Sequence, residues 1–556
     1  MSDKPQYECK FVVYAPEHSG QDDIHVVKEI VHHPDGTKVP NLRIIKNFQR
    51  TFGVTKPGFQ NHTVKKESEA VDRLNYFRST QSGLQRAVKA ALKKPWSNER
   101  MGDLQNSPFL YGTDIDSTAL VKQAYAKRYP DLVPTPYSLA VYDTESDMVK
   151  GTKETIISTL SMKKKVVTAV RKDFVSGQAN VIERLQVLAQ KYLGDVIKER
   201  GIEIEFKLCD TELETCMWTI QHAHQWSPDF VTGWNLLYDV QQLEAACNRA
   251  KVDIRDYMSD PKIPQNYRVW KVKEGPASRE TASGVWMSYQ PAQRWHVFQN
   301  TAGFYLIDAM CSYYYIRQGE QAESSYSLDN ILKLKLKRGK LKFTEADKYV
   351  KAEWHTYMQM HHPLEYVIYN IFDCVGVEML DEKTKDLSVM LPLYSEYSDF
   401  ARFKSQPRRK VDSLHFFYLD RGRMIGCTGS NMIEPGDEDV ISADGHVITL
   451  HAGRLVNNGL CCILEDPHMR TNIRIANADN DVTGAYPTNQ VVMNVSKATT
   501  VCELIKIEGI EEQDKRNLTM NFPAGHTNAV DFCTTVLKLP TLHDLLQQFQ
   551  QDTIGQ

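Results

Sequence analysis

The stretch SLAVYDTESD carries the first residues that could do chemistry, Asp143 and Glu145, two positions apart at the end of a hydrophobic run. In an extended strand, positions i and i+2 face the same side, so both carboxylates can converge on one point. Clustered negative charges demand a counterion, and a divalent metal is the natural one. The bland alternative is a polar strand end at the surface. In PDFVTGWNLLYDVQQL a second strand ends at Gly233, and Asn235 and Asp239 follow at the turn into a helix. Four apart on that turn, the amide and the carboxylate can point into one cleft. The plainer reading is helix capping by Asn235 and a surface Asp239. HPLEYVIYNIFDCVGVEML is an amphipathic helix in which Tyr369 and Asp373, at i and i+4, share a face. Asp373 interrupts that otherwise apolar face, and a buried carboxylate needs a metal or a hydrogen-bond partner.

These residues must be positioned by regular elements, and the chain supplies them. Tyr137 to Tyr142 reads as a buried strand after a linker marked by Pro134 and Pro136. KKVVTAV, IEIEFKLC and PDFVTGW read as further strands. ANVIERLQVLAQKYLGDVIKERG is a periodic helix stopped by Gly201, and DVQQLEAACNRAKV is another helix. Alternating strands and helices imply a mixed sheet flanked by helices, an α/β domain. Before it, residues 1–135 mix strand-like runs (Cys9 to Tyr14, His25 to His32) with a helical stretch around Ser79 to Lys94. After it, residues from about 385 to 425 are rich in basic and aromatic types, residues 426–500 show short strands and turns, and the polar tail after Val501 ends in helix-like TLHDLLQQFQQ.

The three carboxylate segments resemble, in order, the Exo I, Exo II and Exo III motifs of the DnaQ-like 3′→5′ exonuclease domain. Their wider context is similar to family B DNA polymerases, above all those of large bacteriophages. FVTGWN…YD matches the second motif, YSLDNILKLKLKRGKLKF the segment before the third, and YNIFD the third itself. The resemblance covers about 135 to 385 and extends to YGTDID at the end of the N-terminal region. It implies an α/β and α+β multidomain chain with an RNase H-like (DnaQ-like) exonuclease fold. The implied divisions are an N-terminal domain (1–135), the exonuclease (136–385), a linker with partial palm (386–500) and a C-terminal extension or partner interface (501–556). By carry-over, Asp143, Glu145, Asp239 and Asp373 hold two Mg²⁺ or Mn²⁺ ions for phosphodiester hydrolysis. Tyr369 orients the attacking water, and Asn235 positions the terminal nucleotide.

Further on, NADNDVTGAYPTNQ resembles polymerase motif A, with Asp481, Tyr486, Pro487 and Thr488 matching and Gly484 and Ala485 departing from the usual Ser-Leu. The resemblance makes Asp481 a catalytic metal ligand and Tyr486 the nucleotide-binding steric gate; a β-turn aspartate is the plainer alternative. No fingers motif and no Asp-Thr-Asp palm motif follows in the remaining 68 residues. The expectation is a DNA polymerase part used in replication that polymerises only with a second chain. That partner would supply fingers, second palm aspartate and thumb. A stand-alone nuclease with a vestigial palm, a truncated polymerase, a non-catalytic DNA-binding scaffold and an unrelated RNase of the same fold are the alternatives. Expected partners are DNA (primer 3′ end and single-stranded template) and the second polymerase chain, with a sliding clamp as a further one.

Two basic runs fit nucleic acid. Lys333, Lys335, Lys337, Arg338, Lys340 and Lys342 form one, and Arg402, Lys404, Arg408, Arg409 and Lys410 the other. Either is equally a solvated face. On the enzyme reading both line a single-strand channel, where Phe416, Phe417 and Tyr418 stack on bases unless they are core strand residues. Composition sets few limits. The net charge of −3 rules out a protein coated in basic surface but not a local phosphate-binding groove. No apolar run approaches the roughly 20 residues of a membrane span, and the polar N-terminus is no secretory signal. Eleven scattered cysteines without a CxxC pair predict a reducing, cytoplasmic setting with no disulfide framework and no zinc site, within the host cell if the source is viral.

Overall fold

The computed structural model describes residues 4–20, 22–62, 65–280, 286–427 and four short strand segments beyond them. The chain divides into two compact units, Met1–Gly429 and Ser430–Gln556. In the second, Glu438–Ile441 pairs antiparallel with Val447–Leu450, and Leu504–Ile505 with Gln551–Asp552. Gln551, expected at the end of a helix, is therefore in a strand. Asp481, Tyr486 and the motif around them lie outside the described residues.

The first unit opens with a three-stranded antiparallel meander: β1 (Gln6–Pro16), β2 (Asp23–His32) and β3 (Lys38–Lys46). The central sheet then follows. It comprises β4 (Leu139–Ser146), β5 (Thr155–Met162) and β6 (Lys165–Arg171), then, after helix α1 (Val181–Arg200), β7 (Glu203–Cys209). Helix α2 (Glu212–Trp226) leads to β8 (Phe230–Gly233), helix α3 (Leu236–Ala250) follows, and β9 (Tyr305–Asp308) completes the sheet. The strand order is β7-β6-β5-β4-β8-β9. β4, β5 and β6 meander antiparallel, whereas β8 runs parallel to β4, β9 to β8, and β7 to β6. This is the mixed sheet flanked by helices that the alternation predicted.

After β9 come the helices α4 (Ala309–Ile316), α5 (Leu328–Leu336), α6 (Ala352–His361) and α7 (Pro363–Thr384). The strand period of two sorts β4 between two cores. Val141 packs in the core shared with α1 and α7, and Ala140 and Tyr142 in the core shared with α2 and α3. Asp143 and Glu145 therefore continue the α7 side, and Thr144 the α3 side. Gly201 ends α1 at φ 63°, a left-handed position that glycine adopts without a Cβ penalty.

Residues 1–135 do not stand apart from this sheet. Phe11, Val13, Ile24 and Val26 belong to the same apolar core as Val141 and Ile307. Buried Lys28 of β2 donates 2.8 Å hydrogen bonds to the carbonyls of Ser227 and Gly303. The chain also returns: after α8 (Gln406–Leu419), β10 (Arg423–Ile425) pairs with Ser68–Ala70. Phe416, Phe417 and Tyr418 lie on α8 rather than on a strand. Phe416 is buried, Phe417 is exposed, and Tyr418 gives its hydroxyl to Glu67 (2.5 Å). Base stacking is thereby excluded for Phe416 alone.

Gly233 shows how tightly β8 is fitted. A Cβ there would lie 2.7 Å from the Tyr142 carbonyl oxygen and 3.2 Å from a Leu236 methyl. Gly233→Ala must therefore push β8 away from β4, beside the carboxylates. The expected cost is about 1–3 kcal/mol, the usual range for overpacking, measured as a lower midpoint in chemical denaturation. An unchanged midpoint would show that the strand end yields freely.

Candidate metal centre

Asp143, Glu145 and Asp373 come together: one carboxylate oxygen from each lies within 4.8 Å of the others. The strand contributes the first two, and α7, packed across β4 and β5, contributes the third. Asn370, about one turn before Asp373 on α7, donates to Asp143 Oδ2 at 2.6 Å. Tyr366 donates to Glu145 Oε2 at 2.5 Å. His355 Nδ1 lies 2.7 Å from that same tyrosine oxygen. A hydroxyl has one proton, so when Tyr366 gives it to Glu145 the imidazole must donate through Nδ1–H. The chain His355–Tyr366–Glu145 thus fixes the carboxylate's orientation.

Asp239 reaches the strand from its other side. Its Oδ1 accepts from the Thr144 amide (2.8 Å) and hydroxyl (2.7 Å). It lies outside the 4.8 Å trio, yet after burial it is the strongest influence raising the pKa of Asp143. Asp308, at the end of β9, is a fifth acid here, buried near Asp239, and its Oδ2 has no hydrogen-bond partner.

The electrostatics follow from this crowding. Burial, then Asp239, Glu145 and Asp373, push the Asp143 carboxyl far above the usual carboxylate range. Burial also carries Glu145 to about 8, against the Tyr366 hydrogen bond, and Asp239 to about 7, against the Thr144 hydrogen bonds. Asp308 rises to about 6, chiefly by burial. Asp373 is likewise raised by burial, while Lys340 pulls the other way. Without a cation, then, the site holds protons at neutral pH, because desolvated like charges cannot all ionise together.

One cation is already present. Lys340 Nζ lies 2.5 Å from Asp373 Oδ2 and 2.9 Å from the Tyr369 hydroxyl. Burial disfavours its ammonium, but Asp373 and Tyr369 outweigh that and hold its pKa above the ordinary lysine value. The Tyr369 ring stacks 6.0 Å from that of Tyr366, so both hydroxyls come from one aromatic pair.

No protein-family model matches this chain, and neither does any curated protein.

The expected residues divide accordingly. Asp143, Glu145, Asp373 and Tyr369 meet in one place, and Asp239 borders it. Asn235 stands exposed at the entry to α3 with φ 71° and makes no side-chain cap. Lys333 pairs with Asp329 and Lys335 with Glu323 (3.6 Å), while Arg338 lies over the Phe372 ring and Lys337 closes α5. Arg408 and Arg409 lie on α8 and are not among the residues of the trio. Sequence reasoning missed Tyr366, Asn370, His355, Thr144, Asp308 and the role of Lys340. The spacing 366, 369, 370, 373 is a polar stripe at helical period and could have revealed two of these. The others depend on how distant segments close together.

The donor set suits hard divalent cations, which take oxygen ligands. Asp373 Oδ1 is buried with no hydrogen-bond partner, an oxygen placed for a ligand that the protein's own atoms do not supply. Asp143, Glu145 and Asp373 are the residues that would hold one ion, with Asp239 beside Asp143 for a second. Among the described residues no helix is long and apolar enough to cross a membrane.

Proposed function

We propose that the first unit is a metal-dependent 3′→5′ exonuclease of RNase H-like fold, the proofreading part of a family B DNA polymerase. The observation that carries this reading is the convergence of Asp143, Glu145 and Asp373 within 4.8 Å, with buried Asp239 against the same strand. The sheet supports the fold: the acidic strand β4 is central, its hairpin partner is antiparallel, and β8 and β9 run parallel on its other side. Two bound divalent cations would supply an activated water and stabilise charge on the departing 3′ oxygen.

The chain's own groups have separable tasks. Asp143, Glu145, Asp239 and Asp373 provide the negative charge that recruits the cations. Asn370 and Thr144 fix two of these carboxylates, and the His355–Tyr366 pair fixes a third. The Tyr369 hydroxyl, held by Lys340, would orient a water beside Asp373. Asn235, exposed at the mouth of the β8–α3 turn, would contact the terminal nucleotide. Polymerisation would need a second chain, and Asp481 and Tyr486 would belong to that shared site.

The test is digestion of a 5′-labelled single strand with and without Mg²⁺. A ladder shortening from the 3′ end, dependent on Mg²⁺ or Mn²⁺, supports the reading. Intact strand under all conditions would leave a non-catalytic DNA-binding module instead.

A further inference from the structure

The two basic runs differ in how their charges are spent. In the first, Lys333, Lys335 and Lys340 each pair with a carboxylate, on Asp329, Glu323 and Asp373. In the second, Arg402 is neutralised by Asp116 and, at 3.8 Å, by Asp412. Lys404, Arg409 and Lys410 form no ion pair among the described residues. They line a cavity of about 420 Å³ together with Tyr315, Tyr394 and Phe403. The one acid on its wall, Glu396, accepts the Ser413 hydroxyl at 2.6 Å.

Arg409 is the informative member. Its Nη1 donates to the Tyr394 carbonyl at 2.6 Å, and its guanidinium lies 4.5 Å from the Phe403 ring centroid. Its Nε is buried with no hydrogen-bond partner. The guanidinium is thus held at the cavity wall with no carboxylate on it, and its positive charge is left uncompensated there. Lys404 lies over the Tyr289 ring at 5.2 Å, and burial lowers the pKa of both cations. Tyr394, 45% exposed, offers an aromatic face beside these charges. Cations that track phosphates next to a sequence-tolerant stacking platform are the parts of a single-strand binding groove.

The placement is apt. Helix α4 is capped by Asp308, which lies near Asp239, and its far end supplies Tyr315 to this cavity. Eight residues of helix span about 12 Å, well inside the footprint of a single-strand site of about 4–16 nucleotides.

We propose that the cavity lined by Tyr315, Tyr394, Phe403, Lys404, Arg409 and Lys410 binds phosphodiesters of single-stranded nucleic acid, apart from the carboxylate centre. The choice of nucleic acid rests on the exonuclease reading; the anion site itself rests on the unpaired cations.

The experiment measures binding of a fluorescent oligo-deoxythymidylate to the full chain, in EDTA, across a salt series. Lys404→Gln with Lys410→Gln should weaken binding and flatten the log K against log[salt] slope by about 1.4, at about 0.7 per lost phosphate contact. Lys410→Gln alone, at an exposed position, should give half that change. Lys333→Gln with Lys335→Gln, in the ion-paired run, should leave the slope near wild type. Equal slopes for wild type and the 404/410 variant, or no binding by wild type, overturn the proposal. Mg²⁺-dependent cleavage is scored separately. A protein that loses slope but never cleaves keeps this site and refutes the nuclease reading, and the converse result does the opposite.

Discussion

Asp143→Asn combined with Glu145→Gln is expected to lower Mg²⁺-dependent removal of 3′ nucleotides by at least ~10³-fold, about 4 kcal/mol in barrier. Both substitutions keep the shape of the site. The amide oxygen at 143 can still accept from Asn370, and the one at 145 from Tyr366. The loss therefore reports charge rather than collapse, and circular dichroism and melting will show a folded protein. Single-strand binding in EDTA should persist, because no cation is then needed between carboxylate and phosphate. A double variant that still cleaves within tenfold of wild type would mean that these acids are not the centre of the chemistry.

The second large effect concerns pH and metal together. Glu145 and Asp239 have folded-state values of about 8 and 7, raised first of all by burial. The folded state thus holds protons that the unfolded chain releases near pH 4. Stability from these groups is complete below the unfolded values and drains away as pH rises through 7 and 8. The metal-free protein should melt lower at pH 8 than at pH 5. Two unit charges roughly 5 Å apart at an effective dielectric of about 20 repel by about 3 kcal/mol, a fall on the order of 5 °C. Mn²⁺ or Mg²⁺ should restore the loss at pH 8 and do little at pH 5, where protons already occupy the site. Asp116 and Glu378, raised by burial to about 6 and 7, add a slope that metal does not touch. Asp143→Asn should flatten only the metal-sensitive part and raise the metal-free melting point at pH 8. Differential scanning calorimetry across pH 5–8, with EDTA or Mn²⁺, measures all of this. A metal-free protein more stable at pH 8 than the Asp143→Asn variant would remove the argument that charge crowding defines the site.

Much of the site was legible because it rests on two periods. Asp143 and Glu145 follow the alternation of β4, and Tyr369 and Asp373 follow the turn of α7, so residue type and spacing put each pair on one face, while the meeting of the two pairs was implied by the family resemblance. Gly201 marked the end of α1 for the same local reason. Other features depend on chain closure and leave no local trace. Lys340 reads as one of several lysines in a basic run, and only the packing of its loop against α7 makes it the partner of Asp373. TIISTLSM is buried on both faces because β5 lies between two cores, and its Ser and Thr residues fall on both faces, so it lacks the apolar-polar alternation that announces a strand. β9 is only four residues long, and its Asp308 reads as an ordinary helix cap, which it also is. Phe416 to Tyr418 have strand-forming side chains but fall in a helix, where Phe416 packs against Ile115 and Ile425. There, tertiary burial outweighs intrinsic preference.

Anomalous diffraction from crystals soaked in Mn²⁺ addresses the central claim most directly. The account predicts one peak among Asp143, Glu145 and Asp373 and a second beside Asp143 and Asp239, with Lys340 Nζ withdrawn from Asp373. Crystals that remain without any peak there at saturating Mn²⁺, with Lys340 still on Asp373, would contradict it.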